Sequence, residues 1–168
     1  IPLNLEMAAT EEMLAIALQL KRDFEDKTKN YRTVVDAYNR VLASASNPSA
    51  AGDLSMIFAY MKMLDPGSTV REGEFATAQN AGSIPQNIWG AYNKAVNGER
   101  LAPTLRTDFV DRAKKLYDSE RKQFEQTKSQ AEEDATAYGV PVNLVTRDVT
   151  ATGSEVAPQD QQQPQTQE

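Results

Sequence analysis

The side chains that could do chemistry in this sequence are carboxylates, lysines, arginines and tyrosines. Acidic groups cluster at Glu11–Glu12, at Glu72 with Glu74, and at Glu132–Glu133–Asp134. Two carboxyls can act as general acid and base in glycoside cleavage if they face each other across a cleft at a controlled separation. Here each cluster occupies neighbouring positions on one predicted helix, where a solvated face is the ordinary explanation. The chain has no histidine and no cysteine. That removes the commonest general base and transition-metal ligand, every Ser-His triad, thiol chemistry and disulfides. No D-x-[DN]-x-[DN]-G run supplies a calcium loop. Gly67 and Gly73 lack the spacing of a dinucleotide or P-loop cradle. Tyr31, Tyr38, Tyr92 and Tyr117 could stack on bases, but at helical spacing in an acidic chain they read as core. The expectation is a non-enzymatic chain with no catalytic residue, cofactor or metal.

The charged group Arg71, Glu72 and Glu74 has two readings. One is a helix start, with acidic residues near its positive end. The other is a salt-bridge network that locks a helical cap onto longer helices or onto a neighbouring subunit. Met56, Met61 and Met63 read as deformable core filling.

Charge narrows the partners. The formal net charge is −6 over 168 residues, whereas non-specific nucleic-acid binding needs Lys and Arg to neutralise phosphates. The apolar runs are far shorter than the ~20 residues that span a bilayer. No charged n-region followed by an apolar stretch suggests a signal peptide. The chain opens at Ile1 rather than Met, as a fragment or processed product would.

Helices must position these groups. From Met13, steps of four and three residues reach Ala17, Leu20, Phe24, Lys27, Tyr31, Val34, Tyr38 and Val41, all but Lys27 apolar or aromatic. That is the 3.5-residue period of a coiled-coil-like seam. It predicts one helix from about residue 3 to 44, ~60 Å long, loosened near Lys27–Asn30. A second helix is expected from Pro48 to Leu64, with Asn47 as its N-cap and a face of Leu54, Ile57, Phe58, Met61 and Leu64. Asp65-Pro66-Gly67-Ser68 reads as a turn. Thr69 with Glu72 has capping-box spacing for a short helix from Val70 to Gln79. Ser83 with Gln86 repeats that spacing for a helix from Ile84 to Val96, burying Ile88, Tyr92 and either Ala95 or Val96. Asn97-Gly98 ends that helix. Pro103 opens a last long helix whose stripe runs Leu105, Phe109, Ala113, Leu116, Phe124, Thr127, Ala131 and Tyr138, with Glu120 as its break. Gly139-Val140-Pro141 stops it. Pro141 to Val149 is expected to be extended. Residues 151–168, rich in Gln, Pro, Thr, Asp and Glu, cannot bury enough surface to offset their ordering entropy and are expected to be disordered.

The fold class that follows is all-α: two long antiparallel helices, three short helices forming a cap, and a disordered C-terminal tail. Residues 1–150 form a helical assembly domain and 151–168 the tail. Leu20, Phe24, Tyr31, Val34, Tyr38, Phe109, Leu116 and Phe124 are the expected seam contacts, within the chain or between subunits. Arg71, Glu72 and Glu74 are the expected cap network.

Two strings carry a resemblance: NPSAAGDLSMIFAYMKMLDPGSTVREGEFATAQNAG and the later AYNKAVNGERLAP. Between about Tyr31 and Tyr117 the chain resembles a module of tailed-bacteriophage virion proteins, which include internal or ejection proteins and large tail-associated proteins. The resemblance implies a structural role. The protein would form homo-oligomers, contact other virion or tail proteins, sit in the capsid interior or tail, and help build a conduit for DNA into the host, with transient contact with the host envelope. It implies no sequence-specific nucleic-acid binding. Larger relatives can carry peptidoglycan-cleaving domains, but no residue here corresponds to such an activity. Two rival readings are a helical protein-binding module of a tail or tape-measure protein and a non-catalytic part of a cell-wall-degrading virion enzyme.

Overall fold

The computed structural model describes residues 3–67 and 85–146, with side chains from Thr10 onward. The helix expected from Val70 to Gln79, the Arg71, Glu72 and Glu74 network, and the 151–168 tail lie outside the described residues. Among the described residues four α-helices follow in order: α1 (Leu3–Ser46), α2 (Ala50–Leu64), α3 (Gln86–Val96) and α4 (Pro103–Ala137). A 3-10 turn, Val142–Leu144, closes the described chain. No strand occurs among the described residues.

The two long helices pack antiparallel, and aromatic pairs fix their register. Phe24 meets Phe124 at 5.9 Å between ring centroids. Tyr31 stacks on Phe124 at 4.3 Å, and Tyr38 on Tyr117 at 4.6 Å. Residue number rises along α1 as it falls along α4, the order of an antiparallel hairpin. On α1, Ala17, Phe24, Tyr31, Val34, Tyr38 and Val41 are all buried. Leu20 and Leu116 are half-buried. Met13 departs from the pattern and is exposed. On α4, Phe109, Ala113 and Phe124 are buried, Tyr117 and Ala135 are buried besides, and Tyr138 is 64% exposed. Tyr138 sits one residue past the last helical turn, where it caps α4 and no longer faces α1.

No loosening interrupts α1 near Lys27–Asn30. Thr28 is buried there, and its hydroxyl donates to the Phe24 carbonyl at 2.7 Å, so the helix satisfies its own polar group. Such bonding to the preceding turn is the usual solution for a mid-helix threonine.

The start of α2 is two residues later than the sequence suggests. Ser49, not Asn47, is the N-cap, and its Oγ accepts from the Gly52 N–H at 2.9 Å. The buried face is also rotated. Asp53, Met56, Ile57, Ala59, Tyr60 and Met63 are buried, Leu54, Phe58 and Met61 are half-buried, and Leu64 is 43% exposed. α2 is apolar nearly all round, so periodicity alone leaves its rotation open. Fifteen residues returning from a three-residue link can cover α1 only back to about residue 32. α2 therefore widens one end of the α1–α4 hairpin and, among the described residues, leaves the other end two helices thick.

α3 packs on α2, with Ile88, Trp89, Ala91 and Ala95 buried and Val96 exposed. Phe58 meets Tyr92 edge-on at 5.9 Å. Asn97-Gly98 ends α3 as expected: Gly98 has φ +82°, and the Glu99 N–H donates to the Lys94 carbonyl. Gly139 (φ +69°) ends α4 in the same way, the Val140 N–H reaching the Ala135 carbonyl at 2.8 Å. This is a Schellman cap with its apolar contact, Val140 and Ala135 sharing a small core with Ala17 and Val145. The extended segment expected from Pro141 is instead a tight turn over Val142–Leu144, because folding back lets both Val140 and Val145 reach that core. The Thr146 hydroxyl donates to Glu132 at 3.1 Å and ties the turn to α4.

Candidate functional site

The most concentrated polar chemistry among the described residues lies where α2 begins. Asp53 is in the first turn of α2 and has no exposed surface. Its Oδ1 accepts from Arg106 Nε at 3.0 Å and from Arg106 Nη2 at 2.7 Å. Its Oδ2 accepts from the Leu101 backbone N–H at 3.0 Å and from Arg100 Nε at 3.4 Å. Arg106 Nη2 also lies 3.4 Å from the Leu101 carbonyl.

Local sequence explains each part. After the Gly98 cap, residues 99–102 link α3 to α4 without regular structure, with the Leu101 side chain in the core. Pro103 starts α4, and Arg106 falls in its first turn. Asp53 therefore holds three things at once: the start of α2, the α3–α4 link and the start of α4. The strings GDLSM and NGERLAP, distant in sequence, meet at this carboxylate.

Burial would raise the Asp53 carboxyl, but the Leu101 N–H, Arg106 and Arg100 hold it below the usual carboxylate range. The group stays ionised. A carboxylate kept this low, with both oxygens engaged by donors, is a poor general base. The cover is thin on one side, where the Arg100 side chain is 51% exposed and Arg106 only 14%. The arrangement is a structural pin.

The second group is the aromatic ladder of the hairpin. Phe24, Tyr31, Val34, Tyr38, Phe109 and Phe124 all lie in one core, with Leu116 packed against it. The Tyr117 hydroxyl is buried there and receives no hydrogen bond of acceptable geometry. The Tyr31 hydroxyl is raised above the ordinary tyrosine range, first by burial and then by the neighbouring Tyr117 hydroxyl. Tyr38 is raised as well, chiefly by burial. Tyr31 and Tyr38 stay protonated, and no charged nucleophile arises from them.

The acidic clusters within the described residues do not face one another across a cleft. Glu11 and Glu12 are exposed. Glu132 pairs with Lys128 at 3.6 Å and takes the Thr146 hydroxyl, while Asp134 accepts from Gln130 at 3.1 Å. Among the described residues no group of three or more acidic side chains could hold a metal ion, and no helix is long and apolar enough to cross a membrane.

Sequence reasoning missed Asp53, Arg100 and Arg106. One signal was present: Asp53 stands at helical spacing from Met56, Ile57, Tyr60 and Met63, and a lone carboxylate on an apolar stripe needs a cationic partner. No protein-family model matches the chain, and no curated protein or solved structure matches it.

A third feature is apolar. Seven large apolar side chains are exposed among the described residues: Met13, Leu14, Leu18, Leu64, Val96, Tyr138 and Leu144. Five of these, all but Leu64 and Val96, belong to the end of the hairpin that α2 does not reach. Exposed apolar groups that form a contiguous patch mark interaction surfaces.

Proposed function

We propose that the chain is a non-enzymatic structural component of a tailed-bacteriophage virion, an ejection or internal core protein. In this reading two long helices form the body, short helices cap one end, and copies assemble with one another and with other virion or tail proteins. The assembly helps form a conduit for DNA delivery and touches the host envelope during ejection. It needs no cofactor.

The observation that carries this reading is the division of labour among the side chains. The buried polar cluster is fully engaged in holding helices together, while exposed apolar groups gather at one end. A protein built this way has a surface to join and no described group poised to react. The resemblance of the two strings around Asp53 to phage virion modules supplies the setting.

The rival reading, a protein-binding module of a tail or tape-measure protein, draws support from the hairpin. Its aromatic seam is covered within one chain, so a single copy can stand alone. Light scattering on the purified chain, with and without lipid vesicles, separates the two. A defined oligomer, or one formed on vesicles with release of trapped dye, supports the conduit protein. A monomer that neither grows nor releases dye supports the binding module. Turnover of purified peptidoglycan would overturn both.

A further inference from the structure

The exposed stretch of α1 carries a pattern that is complementary to itself. Glu11, Leu14, Leu18 and Lys21 follow at steps of three, four and three residues, so they line one stripe of the helix. Glu11 is exposed, Leu14 and Leu18 are 51% and 53% exposed, and Lys21 is half-buried. The stripe is acidic at one end, apolar in the middle and basic at the other. Lys21 pairs with Glu25 only at 3.9 Å along its own helix, a contact loose enough to share.

We infer that a second copy of this chain docks here, with its α1 antiparallel to the first. A two-fold axis midway between Leu14 and Leu18 sets Leu14 against Leu18 of the second copy, twice. The same axis sets Glu11 against Lys21 of the second copy, also twice. Parallel pairing in register would put Glu11 on Glu11 and Lys21 on Lys21, so charge selects both orientation and register. The contact is short and buries less than the ~1,200 Å² of a stable interface. The pair is therefore weak in dilute solution and gains strength where copies are held close. This inference deepens the self-association part of the proposed function and is independent of the virion assignment.

The test is sedimentation equilibrium of the full chain over a concentration series, with E11K and K21E alone and mixed in equal amounts. Each single variant sets like charges together at both ends and weakens association about tenfold. The equal mixture restores opposite charges at both ends and recovers the parent affinity. The chain has no native cysteine, so oxidation of a Leu14→Cys and Leu18→Cys mixture gives a second readout suited to a weak pair. That mixture should cross-link at least tenfold more than Leu14→Cys mixed with Asp23→Cys. Circular dichroism confirms that these exposed substitutions leave the fold intact. Self-association that ignores both charge variants, or a mixture that fails to recover, overturns this face while leaving assembly itself standing. A chain that stays monomeric at millimolar concentration and gives no preferential cross-link overturns the face and the self-association together.

Discussion

Asp53 carries a testable energetic role. Removing one partner of a buried ion pair leaves the other uncompensated and costs about 3 kcal/mol, so Asp53→Ala should lower the denaturation midpoint strongly. Arg106→Ala, which leaves the carboxylate partnered by Leu101 and the half-exposed Arg100, should cost less. Because the folded carboxyl is held low, its contribution is complete above the unfolded value near 3.9 and is lost as pH falls through the folded value. Urea titrations at pH 7 and below pH 4 should show the parent losing more stability on acidification than Asp53→Asn. Equal losses would remove the pin from the account. Tyr117 predicts the opposite kind of outcome. Its hydroxyl is buried without a good hydrogen bond, so Tyr117→Phe should leave stability unchanged or raise it by about 1 kcal/mol. A loss would mean that the Tyr31 and Tyr117 hydroxyls sustain each other after all. Burial raises the Tyr31 and Tyr38 hydroxyls, so their contribution is present below the ordinary value near 10 and disappears as pH rises through the folded values. A near-ultraviolet titration should show these two of the six tyrosines ionising only as the fold is lost.

At the scale of elements, the ends and rotations of helices decide what the hydrophobic pattern leaves open. The long α1 seam was legible because seven-residue spacing holds from Ala17 to Tyr38, and only a helix facing one partner satisfies it. The Asn97-Gly98 and Gly139 stops were legible because glycine is the residue that adopts the left-handed turn. The rotation of α2 was not, because apolar residues surround it. The ion pair from Asp53 to Arg106, 53 residues apart, aligns it, and no local pattern reveals a partner at that distance. The α2 start was missed for a related reason: both Asn47 and Ser49 are good caps, and the choice depends on how closely the chain turns. A Cβ on Gly52 would lie 2.9 Å from the Asn47 carbonyl and 3.0 Å from Ser49 Oγ. Gly52→Ala should therefore destabilise the protein despite the higher helix propensity of alanine, and Ser49→Ala should cost about 1 kcal/mol. Thermal melts of the two variants check this; a stabilised Gly52→Ala would show that the turn has room. On α4, Lys114–Asp118, Arg121–Glu125 and Lys128–Glu132 repeat every seven residues. Surface pairs of this kind contribute little, so they support the outer face of α4 more than they hold the fold.

For the whole molecule, the consequence is a hairpin with unlike ends. At the α2 end, helices cover one another and a buried carboxylate ties three elements together. At the other end, among the described residues, two helices and a short turn leave Met13, Leu14, Leu18, Tyr138 and Leu144 exposed. Tyr31 and Tyr38, expected as seam contacts within the chain or between subunits, are buried between α1 and α4. Tyr31→Glu and Tyr38→Glu should therefore unfold the hairpin, seen as lost helical signal, and carry no information about oligomers. Leu18→Glu should do the reverse, changing association while the helical signal stays. The measurement that tests this most directly is the light-scattering mass of the parent and Leu18→Glu chains, at rising concentration and on lipid vesicles. The parent should exceed the 18.6 kDa of a single copy, while folded Leu18→Glu stays near it. A parent fixed at one copy under every condition, or a Leu18→Glu chain that assembles as the parent does, would contradict assembly through this end.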